Sequence, residues 1–464
     1  DARLVEHTVA YPLSAPAGSL LTHMAVLRPK DEGAQLGYLA RLAGIPRYLD
    51  DAARRHRAGV TAGRPPLARH ALAGIAHLDR YLAEPDGDPL RAPTLGGAFL
   101  DERERVLAEA VRPAFARYRD VLTTEIAPHG RTDDRPGLCL LPGGERTYAA
   151  LVGMHTTTDR TPEELHRTGL ELIAALDEEY ADIGSRVFGG AATGESVRHR
   201  LRTDPALRWG GAEELLSAAR ATIERADAAS ANWFGRTPAQ RCVVEPVPDS
   251  EAPNGPSAYY LRPALDGSRP GTYFANTYQV RERDRFTAEA IAFHEAVPGH
   301  HFQLAVAQEL TELHPLRTFA RVTAFMEGWA LYAERLADEM GLYSGELARL
   351  GMLAEDSTRA ARLVVDTGLH AMGWSRQRVV DYLRANTVMS EVDIQSETDR
   401  YIEVPGQALS YMVGRLEIQR LRAEAERRLG DAFDIKEFHD IILGGPLPMT
   451  VLADVVNAWL ARSR

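Results

Sequence analysis

Helical patterning runs almost the length of the chain and lapses only once, and that lapse constrains the fold more than any other feature. From Leu36 to Glu84, Ala-rich amphipathic stretches are punctuated by Pro46 and by the Gly63-Arg64-Pro65-Pro66 break. A second long stretch covers about Leu100 to Ile126. Thr161-Pro162-Glu163-Glu164 supplies a Thr cap, a Pro at the first helical position and acids in the first turn, which predicts a helix to about Asp182. Another is predicted over Ala212 to Asn232. Between Arg241 and Tyr278 the texture changes to three short β-like runs, Cys242-Val243-Val244, Ala258-Tyr259-Tyr260-Leu261 and Thr272-Tyr273-Phe274-Ala275, separated by Pro- and Gly-rich segments. After Arg285 helices resume, with breaks near Pro315, Gly341, Gly373, Pro405 and Gly444-Gly445-Pro446. The expected fold class is mainly α: one large helical domain over residues 1–464 with a small embedded β-sheet. Its parts are a helical segment at 1–235, the sheet at 236–285 and a second helical segment at 286–464.

Composition removes several function classes. Lys plus Arg total 54 against 65 Asp plus Glu, a formal charge of −11, which disfavours a nucleic-acid partner that would need a basic face. Only Lys30 and Lys436 are lysines, a skew of the kind a GC-rich genome produces, so most arginines need no functional explanation. Cys139 and Cys242 stand far apart and form no CxxC pair, which excludes a disulfide framework and a cysteine-based zinc site. Metal ligands, if any, must be His, Asp or Glu. No run approaches the ~18 apolar residues of a spanning helix. No signal-peptide pattern is visible at Asp1-Ala2-Arg3-Leu4, so no membrane and a cytoplasmic location are the default expectations.

Chemistry concentrates in Phe293-His294-Glu295-Ala296-Val297-Pro298-Gly299-His300-His301-Phe302-Gln303. Adjacent His-Glu followed by further His resembles the HExxH zinc signature, in which two His hold the metal and the Glu is a general base. The position of the second His is taken by Pro298, and in a straight helix His300 would lie roughly 9 Å farther along the axis. Pro298 lacks the N–H that the His294 carbonyl would receive, and Gly299 tolerates unusual backbone angles. A helix widened there by about two residues could return His300 over His294. His301 is the competing ligand, at one more residue of distortion.

A third ligand is expected from Met326-Glu327-Gly328-Trp329-Ala330-Leu331-Tyr332-Ala333-Glu334. Glu327 and Glu334 share a helix face but lie ~10 Å apart along it, so only one can bind the same ion. Glu327 is favoured because Gly328 admits a close neighbour. Glu334 could orient a ligand His or the substrate from behind, or pair as a solvated Glu with Arg335 or Arg321.

HEAVPGHHFQ followed by EGWALYAE resembles the bacterial family known as domain of unknown function 885, placed among gluzincin metallopeptidases. TPEELHRTGLELI, LDGSRPGTYFANTY, RLVVDTGLHAMGWSRQR and RYIEVPGQALSYMVG also read like blocks of that family, over roughly residues 40–460. The resemblance implies a gluzincin-like architecture around a deep cleft. It implies zinc held by His294, His300 (or His301) and Glu327, with Glu295 as general base. Three protein ligands would leave zinc a position for water, and hydrolysis of an amide would follow. The oxyanion would need a further donor, for which Tyr411, Tyr401 and His370 are candidates, Tyr411 ahead because Gly414 leaves its helix face open.

Arg362, Asp366 and His370 recur at i, i+4, i+8, either as an ion-pair stripe or as a wall on which Arg362 forks a substrate carboxylate. Arg400 has the same potential role. Arg269 and Asn276 could support an edge strand that pairs with an extended substrate. Tyr259 and Tyr260 would border it, only one of them facing the cleft. The expected activity is zinc-dependent cleavage of short peptides. The alternatives are a zinc amidase acting on a non-peptide metabolite and an inactive helical binding scaffold.

Overall fold

The computed structural model describes residues 6–249, 252–253, 255–265, 267–314, 316–317 and 320–462. It is mainly helical with one three-stranded sheet among the described residues, as the patterning predicts. In chain order the elements used below are α1 (Glu32–Thr61), α2 (Pro162–Phe188), α3 (Ala212–Ser230), β1 (Val243–Pro246), β2 (Ala258–Leu261) and β3 (Thr272–Ala275). They are followed by α4 (Ala288–Glu295), α5 (His300–Glu309), α6 (Thr323–Glu339), α7 (Glu346–His370), α8 (Glu391–Glu403) and α9 (Ser410–Leu429). The predicted break at Pro315 falls outside the described residues.

Two details show local chemistry at work. The start of α2 is a full capping box: Glu164 N–H donates to Thr161 Oγ1 at 3.2 Å, and Thr161 N–H donates to the Glu164 carboxylate at 2.9 Å. The helix it opens outlasts the predicted Asp182 and ends at Phe188, before Gly189 in a positive-φ conformation. By contrast, Pro46 does not punctuate: α1 runs through it. Leu42, Ile45, Leu49, Ala52 and Ala53 form one buried face on both sides of Pro46, and their packing outweighs one missing hydrogen bond.

The chain divides into two compact units. The first comprises Asp1–Tyr148, Gly368–Val380 and Val392–Pro405; its core gathers Leu42, Ile45, Phe115, Tyr118, Leu122 and Ile126. The second comprises Ala149–Thr367, Asp381–Glu391 and Gly406–Arg464, and its core includes Phe234, Phe293, Phe302, Trp329, Tyr332 and Phe438. The sheet lies in the second unit, in the order β1-β3-β2, with β1 parallel and β2 antiparallel to β3. β1 packs on α3, and β2 lies against α4 and α5. Tyr273 and Ala275 of the central strand join the core of that unit.

Candidate metal centre

The histidine motif is not one widened helix. α4 ends at Glu295, the chain turns through Ala296–Gly299 with a cis Val297–Pro298 peptide, and α5 starts afresh at His300. The turn folds back tightly on the end of α4: a Cβ on Gly299 would overlap the carbonyl oxygens of Phe293 and His294. The turn is also pinned from above, because the fully buried Trp329 donates its indole N–H to the Pro298 carbonyl at 2.9 Å. Two helix ends can bring side chains together at spacings that a continuous helix would separate. The rings of His294 and His300 stand at 87° with centroids 4.9 Å apart.

Glu327 on α6 completes the cluster. Its Oε2 is 3.6 Å from His294 Nε2 and 3.4 Å from His300 Nε2, and one ligand atom from each of the three lies within 4.8 Å of the others. Gly328 admits the close neighbour expected of it: a Cβ there would strike the backbone of Gly414 on α9, so the two helices pack backbone to backbone beside Glu327. Seven residues on, the fully buried Glu334 takes the other side of His294, with Oε1 2.7 Å from Nδ1. The structure therefore separates the two glutamates by role, one facing the cluster and one behind a ring.

The donor set fits a divalent cation. Ligand atoms at 2.0–2.1 Å from a tetrahedral zinc are about 3.3–3.4 Å apart, close to the two distances from Glu327 to the imidazoles. Charge argues the same way. Burial disfavours a charged His294, yet the carboxylates of Glu327, Glu334 and Glu295 outweigh it and raise its pKa to about 10. Glu327 is drawn below the usual carboxylate range by His300 and His294, against burial that would raise it. The surrounding carboxylates favour positive charge at this buried imidazole. Glu295 is half-buried beside His294, and its carboxylate makes no hydrogen bond or ion pair among the described residues.

A family model described as a bacterial protein of unknown function (DUF885) matches residues 7–456. The chain belongs to this family. No curated protein matches it. Among solved structures, the DUF885 chain is similar to a "putative lipoprotein" from Colwellia psychrerythraea, with 29% identity and a TM-score of 0.89, over 98% of this chain and 81% of that one. A "putative lipoprotein of unknown function" from Shewanella oneidensis shares the fold at 18% identity and a TM-score of 0.73, over 96% and 82% of the two chains. No helix among the described residues is long and apolar enough to cross a membrane.

The remaining candidates of the DUF885 chain scatter. His301 does not face the cluster: its Nδ1 is 3.0 Å from Tyr260 Oη and its Nε2 3.0 Å from the Gln240 carbonyl. Burial lowers its pKa to about 4. Tyr260 thus turns toward α5, while Tyr259 stacks on Phe274 at 5.0 Å on the other face of the strand. Tyr411 is half-buried on α9, with the Arg362 guanidinium 4.7 Å from its ring centre. Asp366 accepts the Gly406 N–H at 3.0 Å.

Five candidates are committed to other structural contacts. His370 lies in the first unit, where its Nδ1 accepts from Leu138 N–H at 3.2 Å and its Nε2 lies 3.0 Å from the Tyr401 carbonyl, so it has no free nitrogen for an oxyanion. Tyr401, also in that unit, spends its hydroxyl on Glu397 at 2.6 Å. Arg400 pairs with the same Glu397 at 2.9 Å. Asn276 is fully buried as a loop clasp, its amide donating to the Ala252, Gly255 and Pro256 carbonyls. Arg269 likewise ties its own loop, donating to the Arg262 carbonyl at 2.8 Å. What sequence reasoning missed is the support beneath the ligands: Trp329 on Pro298, and Gly414, which packs on Gly328 and so does not leave its helix face open. The only signal was the dense EGWALYAE segment itself.

Proposed function

We propose that this chain is a zinc-dependent hydrolase that cleaves amide bonds of short peptides. The observation that carries the reading is the His294–His300–Glu327 cluster with Glu334 behind His294 and an uncommitted Glu295 at its side. When bound, zinc supplies Lewis-acid polarisation of the amide carbonyl and activation of water. Glu295 takes the proton from the attacking water and returns it to the leaving nitrogen. Glu334 holds His294 in the tautomer that leaves Nε2 free to bind metal. Tyr411, alone among the three oxyanion candidates, keeps a hydroxyl with no hydrogen bond among the described residues.

An extended substrate also has a place to lie. Asn276 N–H donates to the Ser257 carbonyl at 2.9 Å, and opposed pairs in an antiparallel ladder alternate between bonded and non-bonded. With Ala258 opposite Ala275, it follows that Ala258 and Tyr260 turn their N–H and C=O groups to the free edge of β2. A peptide backbone can pair there, which favours peptides over a compact metabolite as substrate.

The test is a panel of di- and tripeptides with free and blocked termini, run on zinc-loaded protein and on Glu295→Gln. Cleavage by the wild type, lost in a variant that keeps its zinc, is the expected result. No cleavage of any member with zinc fully loaded would sink the peptidase reading and leave the metabolite amidase or the scaffold. The cytoplasm stays the proposed compartment. Because the Colwellia relative is called a "putative lipoprotein", fractionation of the native host should score the envelope as well.

A further inference from the structure

His301 stands next to a proposed metal ligand, is 1% exposed, and meets β2 and the segments that lead into β1 and β3. The Gln240 carbonyl can only accept, so His301 Nε2 carries the ring proton, and Nδ1 is left to accept from the Tyr260 hydroxyl. Gln240 lies three residues before β1, and Tyr260 lies within β2. Gly271 immediately precedes β3, and a Cβ on it would come within 2.6 Å of His301 Nδ1 and 2.5 Å of Tyr260 Oη. The backbone leading into β3 is therefore seated directly against the pair. The Tyr260 and His301 rings meet edge to face at 79° with centroids 5.4 Å apart, a favoured aromatic geometry. One strand and the lead-ins of the other two meet at one imidazole, and that imidazole sits on the first turn of α5, one residue from His300.

The geometry points to Tyr260 and His301 as positioning residues that fix the free edge of β2 at a set distance from the His294–His300–Glu327 cluster, so that an extended peptide is held in register with the reacting centre. Neither residue touches the reacting atoms. Loss of the pair should loosen substrate alignment and leave the chemistry of Glu295 intact. The inference rests on the peptidase reading for its substrate, but its mechanical part, a sheet edge tied to α5, stands on the contacts alone.

Tyr260→Phe removes one hydroxyl and keeps the ring, and His301→Gln keeps one donor and one acceptor. His301→Leu removes both and risks misfolding, so Tyr260→Phe is the deciding variant. On the tripeptide cleaved fastest in the panel, Tyr260→Phe should raise KM about tenfold with kcat within about twofold and zinc content unchanged. His301→Gln should restore most of what His301→Leu loses. Backbone hydrogen exchange at Tyr259 and Leu261, whose N–H groups face β3, should accelerate about tenfold in Tyr260→Phe while α5 keeps its protection. A fall in kcat with KM unchanged, or exchange in β2 identical to wild type, overturns the positioning role. If zinc-loaded wild type cleaves no tripeptide, the peptidase reading fails, and the exchange comparison still decides whether the pair holds the edge.

Discussion

Buried histidines occur in both units, and three of the first unit's, His7, His56 and His370, lack the carboxylates that surround His294 of the second. In the first unit His7 lies near Arg131 and Arg64, His56 Nε2 meets the Tyr118 hydroxyl at 2.9 Å, and both nitrogens of His370 are engaged by backbone. Burial, with nearby cations at His7, lowers these three to about 3, 4 and 4. In the second unit His294 is just as buried, but carboxylates surround it and its pKa rises to about 10. Burial alone makes a histidine neutral and inert. Carboxylates arranged around it make a place for a cation. The adjacent pair His300 and His301 repeats the lesson at a distance of one residue: one faces Glu327, the other a tyrosine hydroxyl and a carbonyl.

The contrast can be broken in several ways. Glu295→Gln should lower peptide hydrolysis by about a thousandfold, within the usual range for loss of a general base, with zinc retained. Surviving activity would remove Glu295 from the mechanism. Zinc at a hundred times its Kd should stabilise wild type by about 2.7 kcal/mol, read from denaturant midpoints. The same zinc should leave Glu327→Ala unmoved and stabilise His370→Gln as fully as wild type. Loss of the shift in His370→Gln would erase the distinction between the two histidine groups. Glu334→Gln should weaken zinc about 10–100-fold by freeing the His294 ring, whereas Tyr118→Phe, which strips His56 of its partner, should leave zinc affinity unchanged.

A separate effect concerns acid. A histidine whose folded pKa is depressed stays neutral while the unfolded chain takes up protons below about pH 6.5. The unfolded state then binds more protons, so stability falls as pH drops from about 6.5 toward the folded values near 4, by roughly 1.4 kcal/mol per pH unit for each histidine. Urea denaturation at stepped pH should show this slope, and His56→Gln should reduce it by one proton. In metal-free protein His294 works with the opposite sign: its contribution is complete below about pH 6.5 and is lost as pH rises through about 10.

Much of this architecture is legible in sequence because local signals agree with the fold. The Thr161 box, the three β-like runs and the helical periodicity each decide their own segment. At the candidate site, helix spacing alone shows that Glu327 and Glu334 cannot share one ion, and the choice between them rests on Gly328. His300 against His301 could not, because the choice depends on a turn that ends one helix and starts another. Tyr401, His370 and Asn276 misled for a different reason. Each is polar and near a promising motif, but His370 and Asn276 meet backbone groups brought in by tertiary folding, and Tyr401 gives its hydroxyl to Glu397 one turn back on its own helix. Pro46 shows the converse, a local breaker overruled by a continuous buried face.

Zinc stoichiometry by equilibrium dialysis tests the central claim most directly. Wild type and His301→Gln should each bind about one equivalent, and His294→Ala less than about a tenth under the same conditions, as expected for a site that needs both imidazoles. Full zinc binding by His294→Ala, or none by wild type, would contradict a metal centre at His294, His300 and Glu327.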